Sequence, residues 1–164
     1  MLPWRHDRRH LRRRGTPCRR LPGRVWEAIT DLPELPRLLT GVEKVEVLTP
    51  GGFAVGTRWR ETRRMLGRTA TEEMTVTVCE PPERYVTVAD SHGMHYVSEL
   101  TLHPEGPAVA ATATVLRMTF TARPAHDRSP GPLTRLLARF GGRAVGRALG
   151  KDLDEMARAV ESRG

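Results

Sequence analysis

Thr69-Ala70-Thr71-Glu72-Glu73-Met74-Thr75-Val76-Thr77-Val78-Cys79 is the stretch that decides the fold class. Its odd positions, Thr69, Thr71, Glu73, Thr75 and Thr77, make a threonine-rich face suited to water. Its even positions, Ala70, Glu72, Met74, Val76 and Val78, make an apolar face broken only by Glu72. Successive side chains of a strand point to opposite faces of its sheet, so this alternation reads as a strand buried on one side. A sheet with one apolar face needs a cover, and that requirement organises the rest of the chain.

Further strands are expected around it at residues 42–48, 57–66, 84–91, 94–102 and 109–123, with the central one spanning 68–80. The punctuation between them is Pro50-Gly51-Gly52, Gly67, Pro81-Pro82-Glu83, His92-Gly93 and a loop at 104–107. These signals predict an antiparallel meander of about six strands. The same alternation turns Val86 and Val88 inward, with Tyr96, Ser98, Leu100 and Leu102 on the next strand. Thr112, Thr114, Leu116, Met118 and Phe120 share one side of the last. Upstream, residues 24–32 have helical spacing with Val25, Ile29 and Leu32 on one face, and a second short helix at 33–40 ends at Gly41.

The cover is at the C-terminus, where residues 132–161 carry helical periodicity. Leu133, Leu136, Leu137 and Phe140 make one apolar face, and Val145, Leu149, Leu153, Met156 and Val160 make another about half a turn round. The change falls at Gly141-Gly142 and predicts a kink or break. Gly142, Gly146 and Gly150 line one arc of the second part and leave space between helix and sheet.

A chain of 164 residues fits one domain. No apolar run approaches the 18 or so residues of a membrane-spanning helix. Two cysteines, Cys18 and Cys79, exclude a disulfide scaffold and a four-cysteine zinc site. The formal net charge of +8 is localised: residues 1–24 hold nine arginines against Asp7, and residues 25–164 balance. A nucleic-acid footprint is therefore absent from the body and confined to the tail. Residues 1–21 show no strand or helix period and read as an Arg-rich tail, disordered or not native coding sequence, ahead of a domain at 22–164. A phosphate-binding arm and a transit peptide are its other readings.

Val25-Trp26-Glu27-Ala28-Ile29-Thr30-Asp31 with Leu35-Pro36, then Gly56-Thr57-Arg58-Trp59-Arg60-Glu61-Thr62, then Glu80-Pro81-Pro82-Glu83-Arg84-Tyr85 carry a resemblance. In this order of elements the chain resembles the START-like (SRPBCC) superfamily, and in particular its bacterial polyketide cyclase/dehydrase and lipid-transport group. The resemblance runs from about residue 22 to the end. It implies an α+β helix-grip (START/Bet v 1-like) fold, a curved antiparallel sheet wrapped on a long C-terminal helix. It also implies a cytoplasmic protein whose partner is a small hydrophobic molecule held between sheet and helix. Family members begin with a strand that completes the sheet beside the last one. Here the Arg-rich tail holds that place, so the first strand is expected to be missing. Leu38-Leu39 stand where the family often has an aromatic residue.

Within such a cavity the polar candidates are Trp59, Glu61, Glu72, Asp90, His92 and Tyr96. Glu61 and Glu72 lie on strands joined across Gly67, and a carboxylate pair in an apolar cavity is suited to proton transfer. The competing reading places both at the mouth, in surface salt bridges with Arg63, Arg64 or Arg68. His92 beside Asp90 is a candidate general base. His92 and His95 give no convergent metal geometry, so no metal is expected. No nucleophile-elbow serine and no glycine-rich phosphate loop is present, so no cofactor is implied. Cys79 reads as a structural thiol. The candidate catalytic set is Glu61, Glu72, His92 and Tyr96. The candidate ligand-binding set is Trp59, Met74, Val76, Val88, Asp90, Leu100, Thr114, Leu116, Met118, Gly146, Leu149 and Leu153. The function these imply is binding of a small hydrophobic ligand, with polyketide cyclase/dehydratase chemistry as its enzymatic form. The alternative is a nucleic-acid-associated module that uses residues 1–24 as its arm.

Overall fold

Seven antiparallel strands form one sheet in the order β1-β7-β6-β5-β4-β3-β2. They are β1 (His10–Cys18), β2 (Val42–Val47), β3 (Arg58–Met65), β4 (Arg68–Glu80), β5 (Arg84–Ser91), β6 (Met94–Glu105) and β7 (Ala113–Pro124). Strands β2 to β7 are a meander in which each pairs with the next, while β1 crosses over to lie beside β7. Between β1 and β2 come α1 (Pro22–Thr30), a 3₁₀ turn (Leu32–Glu34) and α2 (Leu35–Leu38), and the chain closes with α3 (Pro132–Ser162). The computed structural model describes residues 10–65, 67–91, 93–106, 112–124 and 132–163, with the side chains of 10–14, 65 and 132–143 left outside that description.

Local chemistry explains the elements. Pro22 opens α1 at a position where a missing N–H does no harm, and Val25 and Ile29, one turn apart, are its buried face. The hairpins at Gly67 and Gly93 turn through positive φ, +74° and +73°, where glycine carries no steric penalty. The outer face of β2, β3 and β4 is a ladder of ion pairs among Glu46, Arg58, Arg60 and Glu73, a solvated surface of small net stabilisation.

The sequence expectations need four corrections. The sheet has seven strands, because residues 10–18 of the Arg-rich stretch form the first strand that was expected to be missing. Residues 1–9 lie outside the described residues. The expected inward placement of Val86 and Val88 is overturned by a register shift between Val76 and Val78 in β4. Val76 pairs with Thr87 and Thr75 with Val88, so beyond the shift it is the odd positions of β5 that share the buried face. The second helix is shorter than residues 33–40 and splits into the 3₁₀ turn and α2. Finally, α3 runs as one helix through Gly141-Gly142, without the expected break.

The core joins all layers. Leu153, Met156, Ala157 and Val160 of α3 pack with Val25 and Ile29 of α1, with Leu32, Leu35, Leu38 and Leu39, and with Val76, Leu100, Leu102 and Leu116 of the sheet. Ile29, Leu100, Leu116 and Leu153 are at most 1% exposed, and each contributes roughly 1.5–3 kcal/mol through burial. Polar ties fix the C-terminal half of α3. Glu155 accepts from Thr40 N at 2.9 Å and Thr40 Oγ1 at 2.7 Å, Asp154 accepts from Thr16 at 3.0 Å, and the Glu161 carbonyl accepts from Arg20 at 2.7 Å.

Candidate functional site

Above this closed core, sheet and helices leave a cavity of about 440 Å³. Its walls come from every layer: Ile29, Leu32, Leu35 and Leu39 from the N-terminal helices, Val145, Ala148, Leu149, Asp152 and Met156 from α3, and inward positions of β3 to β7. Most of that surface is apolar, contributed by Met74, Met94, Leu100, Met118, Phe120 and Ala122 among others.

The polar groups begin on β3, where Trp59, Glu61 and Arg63 share the inward face at alternate positions. Trp59, 4% exposed, donates from its indole N–H to Glu61 Oε2 at 3.3 Å. Arg63 donates to Asp152 Oδ2 on α3 at 2.7 Å, which ties helix to sheet across the cavity wall. Its Nε lies 2.6 Å from Glu61 Oε1, an ion pair within the wall. Glu61 stands directly opposite Glu72 in the β3–β4 register, and both line the cavity.

Burial pushes the Asp152 carboxyl up from its ordinary value, against the attraction of Arg63. Burial works to lower the value of Arg63, but Asp152 and Glu61 outweigh it, so the guanidinium stays charged. Burial, and then the charge on Glu61, push the Tyr85 phenol far up, which keeps it a proton donor at neutral pH. Tyr85 belongs to an aromatic group at the inner end, 5.0 Å from Phe53 and 5.9 Å from Trp26 between ring centroids. Tyr96 stacks on Phe120 at 5.7 Å and 24°, and its phenol is raised by burial and then by Glu72.

Of the candidate residues, Glu61, Glu72, Tyr96, Trp59, Met74, Leu100, Met118 and Leu149 line the cavity. The surface-salt-bridge reading named Arg63 as a partner, and Glu61 does meet it, but both sit in the wall with only 13% and 28% of their side chains exposed. Gly146 is not among the lining residues, although a Cβ built there would meet nothing within 4 Å. Val76, Thr114, Leu116 and Leu153 are corrected from ligand-binding positions to the closed core, each at most 1% exposed. Thr114 and Leu116 lie where β1 pairs with β7, and Val76, Leu116 and Leu153 belong to one packed cluster with α1. Val88 and Asp90 are corrected to the outer face by the β4 register shift. Asp90 there accepts or shares a proton with His95 Nδ1 at 2.8 Å, in register across β5 and β6. His92 lies outside the described residues.

Sequence reasoning missed Arg63, Asp152, Tyr85 and Thr87 as cavity residues. The signal for the first was present in the β3 alternation, which puts Arg63 on the side of Trp59 and Glu61. Asp152 sits three residues after Leu149 and four before Met156, on the helix face toward the cavity. Tyr85 and Thr87 depend on the register shift, which leaves no mark in the local pattern. Among the described residues no group of three metal-ligating side chains converges, and no helix is long and apolar enough to cross a membrane.

Residues 19–161 match the sequence profile of the polyketide cyclase / dehydrase and lipid transport family. The chain belongs to that family. No curated protein matches its sequence. Among solved structures it is similar to the Zhui aromatase/cyclase from Streptomyces sp. R1128, at 18% identity and TM-score 0.77 over 96% of each chain. It is also similar to TTHA0849 from Thermus thermophilus, at 19% identity and TM-score 0.76 over 94% of this chain and 99% of that one. A START superfamily protein from Mycobacterium smegmatis matches at 14% identity and TM-score 0.62, over 90% of this chain and 99% of that one. At these identities the likeness is one of fold, and the helix-grip architecture of this family member agrees with it.

Proposed function

We propose that this family member binds a small, mainly apolar molecule in the cavity between sheet and α3, and acts on it as a cyclase or dehydratase of polyketide-like substrates. The observation that carries the reading is the cavity itself: about 440 Å³ of mostly apolar wall, with a few polar groups gathered on β3, α3 and the facing strands. Apolar walls supply affinity, and the polar groups fix orientation.

The chemistry such a site would perform follows from its donors and acceptors. The Arg63 guanidinium, held between Glu61 and Asp152, gives the wall a positive charge that favours a nearby carbonyl oxygen and the negative charge that develops on it during carbon–carbon bond formation. The Glu61 carboxylate, beside it, is the group to accept a proton from the carbon next to that carbonyl. Tyr85, kept protonated, can return a proton to the alkoxide formed when that carbon attacks a second carbonyl. Glu72 and Tyr96 orient the substrate from across the strand pair. The nucleic-acid alternative called for residues 1–24 as an arm, and residues 10–18 of it form a strand of the sheet, paired with β7.

Trp59 gives the test a direct reporter. Aromatic polyketide and fatty-acyl compounds are titrated against the protein and a Trp59→Phe variant, following indole emission and the thermal melt. Binding should raise the melting temperature and change emission in the parent, with a smaller change in the variant, which keeps Trp4 and Trp26. A panel that moves neither signal would remove the cavity reading.

A further inference from the structure

The charges in the cavity wall are answered unequally. Arg63 lies between Glu61 and Asp152 and is engaged by both. Among the described residues the wall thus sets three carboxyl groups, Glu61, Glu72 and Asp152, against one guanidinium. Glu72 makes no hydrogen bond or ion pair among the described residues. It stands opposite Glu61, and like charges in direct cross-strand register destabilise a sheet. The neighbour that senses its charge is Tyr96, whose ring stacks on Phe120, and both rings line the cavity. A carboxylate next to aromatic faces is the environment that favours an organic cation.

We infer that Glu72 is a specificity-determining residue that selects ligands carrying a basic nitrogen on an apolar body. The reading rests on the cavity as the binding site and names the class of molecule it takes. The ammonium donates to the Glu72 carboxylate and rests against the Tyr96–Phe120 pair, while Met74, Met94 and Met118 hold the apolar part. A carboxylate in the same place meets Glu72 and Glu61 as like charges, so free fatty acids and aryl carboxylates are disfavoured.

Three probes with one apolar body test this: 2-naphthylmethylamine, 2-naphthol and 2-naphthoate, titrated calorimetrically into the full chain and into Glu72→Gln. A charge-assisted hydrogen bond is worth enough to separate the amine from the alcohol by about tenfold, with the carboxylate weaker still. In Glu72→Gln the amine-to-alcohol ratio should fall to about one. Glutamine keeps the shape of the side chain and removes the charge opposite Glu61, so this variant has no reason to fold less well. Equal binding of all three probes overturns the inference and leaves the cavity reading standing. An amine preference that survives in Glu72→Gln overturns it as well. If none of the three binds, the cavity reading falls and this inference with it.

Discussion

Replacing Arg63 by methionine is the perturbation that separates a buried charge network from ordinary surface pairing. The guanidinium sits 2.7 Å from Asp152 and 2.6 Å from Glu61, with 28% of its side chain exposed against 7% and 13% for the two carboxylates. Removing one partner of a buried pair costs about 3–5 kcal/mol, because the other charge stays buried and unanswered. The partial exposure of Arg63 puts the expected loss near the low end, about 3 kcal/mol. For a chain of this length that is a fall in melting temperature of roughly 6–12 °C. The double variant Arg63→Met/Asp152→Leu removes charge at both ends and restores apolar contact between β3 and α3. It should lie within about 1 kcal/mol of the parent, about 2 kcal/mol better than the single variant. Glu61 keeps the Trp59 indole N–H as its donor in both variants. Urea unfolding with a common slope is the assay. A single variant that loses less than about 1 kcal/mol, or a double variant no better than the single, would refute the buried-network account.

Three further outcomes follow from the same geometry. Gly146→Ala should stabilise α3 by about 0.5–1 kcal/mol, since glycine is a poor helix former and a Cβ there meets nothing within 4 Å; a lower melting temperature would show the space is not free. Thr87→Phe should fill the cavity and abolish the Trp59 emission change on ligand addition while Val88→Thr leaves it intact, and the reverse pattern would mean the β4 register shift is misplaced. The folded-state value of Asp152 is raised by burial above the ordinary 3.8, so its contribution is fully present below that pH and is lost as pH rises through the folded value. The stability of the parent relative to Asp152→Asn should therefore decline over that window in urea titrations, and a rise would mean that attraction to Arg63 outweighs burial.

The fold was legible because the sheet obeys its simplest rule over most of its length. Ala70, Glu72 and Met74 face inward as the alternation of β4 requires, and so do Tyr96, Ser98 and Leu100 on β6 and Met118 and Phe120 on β7. Alternation is a statement about one strand, however, and it passes to the next only if the register between them has no extra residue. The shift between Val76 and Val78 breaks that inheritance and exchanges Val86 and Val88 for Tyr85 and Thr87. No residue type marks the position, since valine and threonine fit both faces. The division between cavity and closed core was equally hidden: Met118 and Leu116 share one face of one strand, and depth under α3 decides which of them a ligand could touch.

β1 shows why an arginine-rich stretch can be a strand without looking like one. An edge strand is held by its backbone, and only the side chains that turn toward the core must be small or apolar. Among the described side chains of this stretch those are Thr16 and Cys18, 9% and 0% exposed. Gly15, just before them, lies where a Cβ would come within 3.1 Å of Val115 Cγ1, so the close approach of β1 to β7 is itself written in a residue without a side chain. The strand then does for the cavity what the sequence alone did not suggest. Pairing with β7 at Thr16↔Leu116 and Cys18↔Thr114 seals those two residues away from solvent, and the Thr114 hydroxyl donates to the Arg20 carbonyl at 2.6 Å. With that end closed by β1, α1 and the last turns of α3, the empty volume is displaced toward the Glu61, Glu72 and Tyr96 end, where the polar groups stand. The basic segment thus belongs to the closed end of the fold, and no described β1 side chain lines the candidate site.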